Sequence, residues 1–372
     1  MAAKYTTSAP LNPEDFDLAE QVGAEWPDFV YSASLARAAK GYAAASKFDP
    51  THTPPSDVLR RVLHEAGVPE NSAVAAIVAT TEDGASDALD HLRSIMPSSG
   101  SPTHIGLGRS PAALPPFKWQ WAILLIERRL DLVSSVPRQV KIGGVIPLHF
   151  NLRRDFTKPR ILVQHPDGRT HRMIPAVRSE GWYTVVPLGR DQGMSLLQIL
   201  AENEVGAQVV AQISIQIGSS ETPANRRHLE SSNHEESVLM TPGEAEAFML
   251  NLINAERIDH GLGVLEWNPS LAHIARAHSR DIVQNDFFGH RSPGHGGLRE
   301  RLSAGGYLAS GFRENLARDP LLRSAHESLM ASPGHRANIL ASDVSQIGVG
   351  VAAQTKNGMP LHWIVTEIFV AN

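Results

Sequence analysis

The sequence contains no cysteine. Disulfides, thiolate nucleophiles and cysteine-ligated zinc are therefore excluded. The compartment is not, because exported and intracellular proteins alike can do without thiols. Nor is there an apolar run of about 18 residues, the length that a membrane-spanning helix needs. The nearest, Trp119 to Ile126, is far too short. The opening Met1-Ala2-Ala3-Lys4-Tyr5-Thr6-Thr7 lacks the apolar core of a signal peptide. Either a cytoplasmic protein or a chain whose leader has been removed is expected. Basic charge is not in excess: 34 Lys and Arg face 39 Asp and Glu, a net charge of −5. That balance argues against nucleic acid as the partner. A Gly-x-Ser-x-Gly nucleophile elbow is missing. His64-Glu65, His234-Glu235 and His326-Glu327 begin like zinc-protease helices, but none has a second histidine four residues after the first.

What is present divides into blocks, as 372 residues lead one to expect. Residues 1–132 are alanine-rich and read as α+β. Ser34 to Ser46 and Asp57 to Ala66 have helical stripes, His104 to Gly108 is strand-like, and Trp119 to Ile126 is apolar on both faces like a buried strand. Residues 133–218 change period. Val145 to Phe150, Arg160 to Gln164, Trp182 to Val186 and Gln208 to Ile213 read as short strands separated by turns such as Pro166-Asp167-Gly168. That spacing predicts an all-β, immunoglobulin-like sandwich. Residues 219–240 are polar and read as a linker, with Ser231-Ser232-Asn233-His234 typical of it.

Residues 241–372 have a helices-then-sheet order. Thr241-Pro242-Gly243-Glu244 forms a capping box, and the helix that it opens stops near His260-Gly261. Asn268-Pro269 caps a second helix striped by Leu271, Ile274, Ala275, His278 and Ile282. Short helices follow at Leu298 to Leu302 and Leu321 to Met330. Strands at Gln346 to Ala353 and Leu361 to Val370 flank a hairpin signal, Lys356-Asn357-Gly358.

Seven segments of this block occur in a recognisable order: Asn251-Leu252-Ile253-Asn254-Ala255-Glu256-Arg257, Leu265-Glu266-Trp267-Asn268-Pro269-Ser270-Leu271-Ala272, Ala277-His278-Ser279-Arg280-Asp281, Phe287-Phe288-Gly289-His290, Glu314-Asn315-Leu316-Ala317, Ser332-Pro333-Gly334-His335-Arg336-Ala337-Asn338-Ile339-Leu340, and Ile347-Gly348-Val349-Gly350-Val351. Thr241 to Asn372 thereby resembles, along its whole length, the CAP domain of cysteine-rich secretory proteins, antigen 5 and pathogenesis-related proteins, in its cysteine-free bacterial form. The resemblance implies an α-β-α sandwich with a cleft lined by two histidines and acidic residues. Carried over, these are His290, His335 and Glu314. Arg313 stands where the family usually has glycine. Leu329 occupies the place of a family tryptophan and Ala331-Ser332 follow, so the second family glutamate is missing.

Two imidazoles and a carboxylate form a donor set that suits zinc, with water in the fourth position, and such a site can activate water. His290, His335 and Glu314 are thus candidate metal ligands, and no organic cofactor is expected. The competing reading makes both histidines hydrogen-bonded loop residues. His278 reads as a core residue and His295, in Pro293-Gly294-His295-Gly296-Gly297, as solvent-facing.

The first block also parallels the last. Ser34 to Ala39 matches Ser270 to Ala275, Leu59 to Leu63 matches Leu298 to Leu302, and His104 to Gly108 matches Gln346 to Gly350. Trp121 follows Gly106 by the interval at which Trp363 follows Gly348. His52 is the one candidate for a first histidine, Glu70-Asn71 resembles Glu314-Asn315, and Pro-Gly-His-Arg has no counterpart. A degenerate CAP-like domain without a working site is expected. The resemblance implies an exported or envelope-associated protein that binds a protein, lipid or cell-wall ligand. The alternatives are a peptidase- or esterase-type hydrolase using His290, His335 and Glu314, and a cytoplasmic location.

Overall fold

The computed structural model describes residues 4–7, 9–11, 15–46, 56–70, 73–82, 85–95, 104–219, 240–308, 311–356 and 359–371. His52, Asn71, the Asn357-Gly358 turn and nearly all of the 219–240 segment lie outside them. The chain packs as two units: Met1–Pro54, Val58–Ala201 and Val209–Thr222 form one, and Pro55–Asp57, Glu202–Gln208 and Pro223–Asn372 the other.

The first unit opens with β1 (Lys4–Tyr5), α1 (Phe16–Glu25), β2 (Val30–Tyr31), α2 (Ala33–Ala45), α3 (Ser56–Glu65), β3 (Val74–Thr80), α4 (Ser86–Ile95), β4 (His104–Pro111) and β5 (Trp119–Ile126). Ser32 caps α2 by accepting the Leu35 N–H at 3.4 Å. The strands are ordered β2-β4-β5-β3. Leu35, Ala39 and Tyr42 of α2, with Val62 and Leu63 of α3, cover Ala122, Leu124 and Ile126 on one face. Val22 of α1 and Leu89 and Leu92 of α4 cover Ile105, Leu107, Ile123 and Leu125 on the other. Two covered faces explain why β5 is apolar throughout rather than alternating.

The chain continues as β6 (Leu130–Leu132), β7 (Val136–Pro137), β8 (Gln139–Val140), β9 (Val145–Leu152), β10 (Thr157–Gln164), β11 (Thr170–Met173), β12 (Ala176–Arg178), β13 (Gly181–Pro187), β14 (Gly193–Asn203) and β15 (Gly206–Ile217). They make a sandwich of one sheet ordered β11-β10-β14-β15-β8 and another ordered β12-β13-β9-β6. Alternate residues, such as Ile146, Leu148 and Phe150 on β9 and Ile213, Ile215 and Ile217 on β15, fill the space between. Tyr5 joins that core through the pairing of β1 with β7.

The second unit contains α5 (Pro242–Asp259), β16 (Glu266–Trp267), α6 (Pro269–Gln284), α7 (Leu298–Ala304), β17 (Phe312–Asp319), α8 (Leu322–Met330), α9 (Pro333–Ile339), β18 (Gln346–Lys356) and β19 (Met359–Val370). The capping box at Thr241 forms as its sequence predicts, and Gly261 follows α5 at φ +69°. Asn268 accepts the N–H groups of Ser270 and Leu271 at 3.0 and 3.1 Å and so starts α6. The sheet is ordered β16-β18-β19-β17. α6 and α7 cover one face, with Leu271, Ile274 and Leu302 against Ile368 and Val370. α5 and α8 cover the other, with Met249, Ile253, Leu322 and Leu329 against Ile347, Val349, Val365 and Phe369. The α-β-α sandwich is the architecture expected. β17 was not legible as a strand, because Glu314 and Asn315 place a polar group on each of its faces.

The two α+β sheets have one plan. β2 runs parallel to β4 as β16 runs parallel to β18, and the antiparallel neighbours follow in the same order. Gly106 faces the Leu35–Ala36 step of α2 so closely that a Cβ would stand 2.3 Å from the Leu35 carbonyl carbon; at Gly348 the Leu271 carbonyl carbon stands at 2.2 Å. Gly108 and Gly350 meet Ala39–Lys40 and Ala275–Arg276 in the same way. Gly106 pairs with Leu124 and Gly348 with Ile368. Counting back five residues from each aligns Trp363 with Trp119. The equal sequence interval to Trp121 misled because the stretch from Gly348 to its partner Ile368 is two residues longer than that from Gly106 to its partner Leu124. The same register sets Ala75 opposite Leu124 where Glu314 faces Ile368. Ala76 then corresponds to Asn315, and Ile123 to Glu367. Glu70 is thus no counterpart of Glu314; it is buried in an ion pair with Arg128 at 2.9 Å.

Candidate functional site

β17 is an outer strand of its sheet, and the candidate residues gather along it. Glu314 lies on the face covered by α6 and α7 and is buried. One of its oxygens meets His290 Nδ1 at 2.9 Å, and the other takes the Arg301 guanidinium from α7. Burial opposes a charge on Glu314. The hydrogen bond from His290 and the charge of Arg301 overcome it and hold the carboxyl below its ordinary range. An ionised carboxylate only accepts, so His290 donates from Nδ1, and in the neutral ring Nε2 carries the lone pair.

The loop that carries His290 is tied at its backbone. His278 donates from Nε2 to the Gly289 carbonyl at 3.1 Å, and Arg301 donates to the His290 carbonyl at 2.8 Å. Burial pushes His278 down to about 4, so this core histidine is neutral. Its place in the core is the one its helical stripe predicted, and His295 is exposed, also as expected.

His335 comes from α9, on the other side of β17. Its imidazole is held well below the ordinary histidine range by burial first and the charge of His290 second, which also places the two rings within electrostatic reach. Asn315 donates to the His335 carbonyl at 3.2 Å and to Glu367 at 3.0 Å. Asn338 donates to the Asn315 side chain at 2.8 Å and to the Glu314 carbonyl at 3.3 Å, which satisfies part of the strand's edge.

The predicted trio therefore divides. His290 and Glu314 touch, His335 comes within the electrostatic reach of His290, and both Glu314 oxygens are engaged by His290 and Arg301. Among the described residues no group of three or more His, Asp and Glu is arranged to hold a metal ion. The zinc set does not fit as three first ligands. The geometry offers His290 Nε2 and the His335 imidazole as donors, with Glu314 orienting the first, as outer-sphere carboxylates do.

Two participants were missed. Arg301 is buried behind Glu314, and its sequence signal was slight, since an arginine in a short amphipathic helix usually faces water. In the sequence parallel Val62 takes its place. Glu367 is fully buried on β19, opposite Asn315. One of its oxygens has no partner, and burial raises it to about 7 against smaller lowering effects of Asn315 and His326. A glutamate within the apolar run Trp363-Ile364-Val365-Thr366-Glu367-Ile368-Phe369 was a signal that could have been read. His326, set aside as a protease motif, is buried on α8 with Nε2 3.9 Å from Glu256.

Residues 250–370 match the model of the family described as CAP, the cysteine-rich secretory protein family. The Bacillus subtilis protein named uncharacterized membrane protein YlbC is 38% identical over 108 residues, which are 29% of this chain and 31% of that protein. Uncharacterized protein YkwD of the same organism is 32% identical over 133 residues, 36% of this chain and 51% of that one. The chain thus spans a third to a half of the length of these relatives. An extracellular protein containing a SCP domain from Bacillus anthracis is similar at 21% identity and a TM-score of 0.32, over 49% of this chain and 66% of that one. No helix among the described residues is long and apolar enough to cross a membrane. The ordered motifs, the α-β-α sheet and the family match agree, and residues 250–370 of this protein are a CAP domain of the cysteine-rich secretory protein family, in a cysteine-free bacterial form.

Proposed function

We propose that this is an exported or envelope-associated binding protein whose CAP cleft, lined by His290 and His335, takes a protein, lipid or cell-wall ligand. The observation that carries this reading is the double engagement of Glu314. A carboxylate tied to His290 and Arg301 cannot also shuttle protons, so it fixes an imidazole rather than acting as a free general acid. The missing second family acid points the same way. A hydrolase is the second reading, favoured by the His290–Glu314 contact, which has the form of a base and its orienting carboxylate. It would need water as the nucleophile.

Zinc is the metal that the two imidazoles of this cleft would suit. His290 and His335 would hold it through their neutral nitrogens, and it would supply Lewis acidity. Zinc added at neutral pH is expected to raise the melting temperature of the wild type and to leave that of His335→Ala unchanged. A wild type with no zinc-dependent rise removes metal from the proposal. Peptidase and esterase assays on the same protein separate the two readings: turnover that His290→Ala abolishes would replace binding by hydrolysis.

A further inference from the structure

A second pair of histidines lies in the β-sandwich, on the turn that joins β10 to β11. His165 and His171 bracket Pro166-Asp167-Gly168-Arg169-Thr170. The turn is closed in both directions. His165 N–H donates to the Arg169 carbonyl at 2.8 Å, and Gly168 N–H donates to the His165 carbonyl at 2.9 Å, with Gly168 at φ +85°. β10 and β11 then pair in register, with Val163 opposite His171. The rings stack with centroids 4.8 Å apart and planes 20° apart, and His165 Nε2 lies 2.7 Å from His171 Nδ1.

The protons on this pair can be placed. The Leu188 carbonyl lies 3.3 Å from His165 Nδ1 and only accepts, so Nδ1 carries the hydrogen, and in the neutral ring Nε2 is bare. His171 then donates from Nδ1. A neutral His171 that moves its hydrogen to Nε2 frees its Nδ1 lone pair without loss of a proton from the pair. Burial, and then the charge of His165, lower the pKa of His171, which favours that neutral form.

We propose that His165 and His171 form a two-histidine cation site for a divalent d-block ion in tetragonal coordination, of the Cu(II) class, completed by water. Imidazole nitrogens suit such ions, and tetragonal N,O sets are typical of Cu(II). Two nitrogens about 2.0 Å from one ion stand about 2.8 Å apart at a right angle and about 3.3 Å apart at the tetrahedral angle. The 2.7 Å separation matches the first and misses the second. The Leu188 carbonyl supplies the backbone anchor that orients metal-ligating histidines in general. The site shares no residue with the CAP cleft.

The test uses the full chain carrying His290→Ala and His335→Ala, so that the cleft histidines cannot contribute. Cu(II) is titrated and followed by electron paramagnetic resonance. One equivalent with nitrogen hyperfine structure from two imidazoles is expected, and adding His165→Ala or His171→Ala should weaken that equivalent at least tenfold. Unchanged circular dichroism would show that the loss is not unfolding. On the unmutated chain, substoichiometric Cu(II) should broaden the imidazole resonances of His165 and His171. Retention of the full equivalent in His171→Ala, or broadening that spares both rings, overturns the proposal.

Discussion

Glu314 and Arg301 form a buried pair, and breaking such a pair costs more than replacing it. Glu314→Ala leaves the guanidinium without its counter-charge and is expected to destabilise the protein by about 3–5 kcal/mol. Glu314→Ala combined with Arg301→Val should cost less than Glu314→Ala alone, and chemical denaturation of the three variants measures the coupling. Glu367 behaves in the opposite way. Its folded pKa of about 7 lies above the ordinary carboxylate value, so the folded state holds the proton more tightly than the unfolded state. Its protonation stabilises the fold at low pH, and that contribution is lost as pH rises from about 4.5 to 7. Glu367→Gln keeps the shape and removes the charge. Relative to wild type it should gain on the order of 2–3 kcal/mol between pH 5 and pH 8. A difference that stays flat across that range would mean that Glu367 is ionised throughout. The histidines and Glu314 were legible in sequence because they sit in ordered motifs. Arg301 and Glu367 were not, since burial of a charge is decided by partners far along the chain.

Among elements, the helix–sheet seams are the most exacting. α6 approaches β18 until a Cβ at Gly350 would stand 2.0 Å from Arg276 N, an atom that cannot rotate away. Gly350→Ala must push the helix outward and is expected to cost about 1–3 kcal/mol, seen as a lower melting temperature. Gly108→Ala should do the same in the first unit, where Lys40 N would be 2.2 Å away. Helix starts were easy to read. Thr241 and Asn268 are local signals, completed within three residues, and loss of the Thr241 cap in Thr241→Ala should cost about 1 kcal/mol. Short strands such as β2 and β16 carry no such signal. Two residues give no period, and only their parallel neighbours β4 and β18 define them.

For the whole molecule, the pairing of β1 with β7 shows the limit of reading the chain in consecutive blocks. Tyr5 stands at the beginning of the sequence yet is buried in the core of the sandwich, with its hydroxyl accepting the Ser214 N–H at 3.0 Å. The first block also meets the strand block at Gln212 N–H, which donates to the Pro69 carbonyl at 2.7 Å. Removal of the first seven residues is therefore expected to lower the stability of the sandwich as well as that of the α+β part before it. A fragment of residues 240–372 should fold cooperatively by itself, since its sheet and both helical layers lie within that range. An insoluble or molten fragment would show that its core is shared.

The common plan of the two α+β sheets has a consequence for how this architecture divides its labour. What both copies keep is the glycine pair under a helix, the polar cap before that helix, and the strand order. What the first copy lacks is the carboxylate, the amide and the second carboxylate, replaced by Ala75, Ala76 and Ile123. Shape and chemistry are thus written at different positions, and either can be rewritten alone. The first sheet shows the same strand plan holding together without those polar groups. Transplanting its answers, as Glu314→Ala, Asn315→Ala and Glu367→Ile with Arg301→Val, should yield a second copy that still melts cooperatively and binds nothing in its cleft.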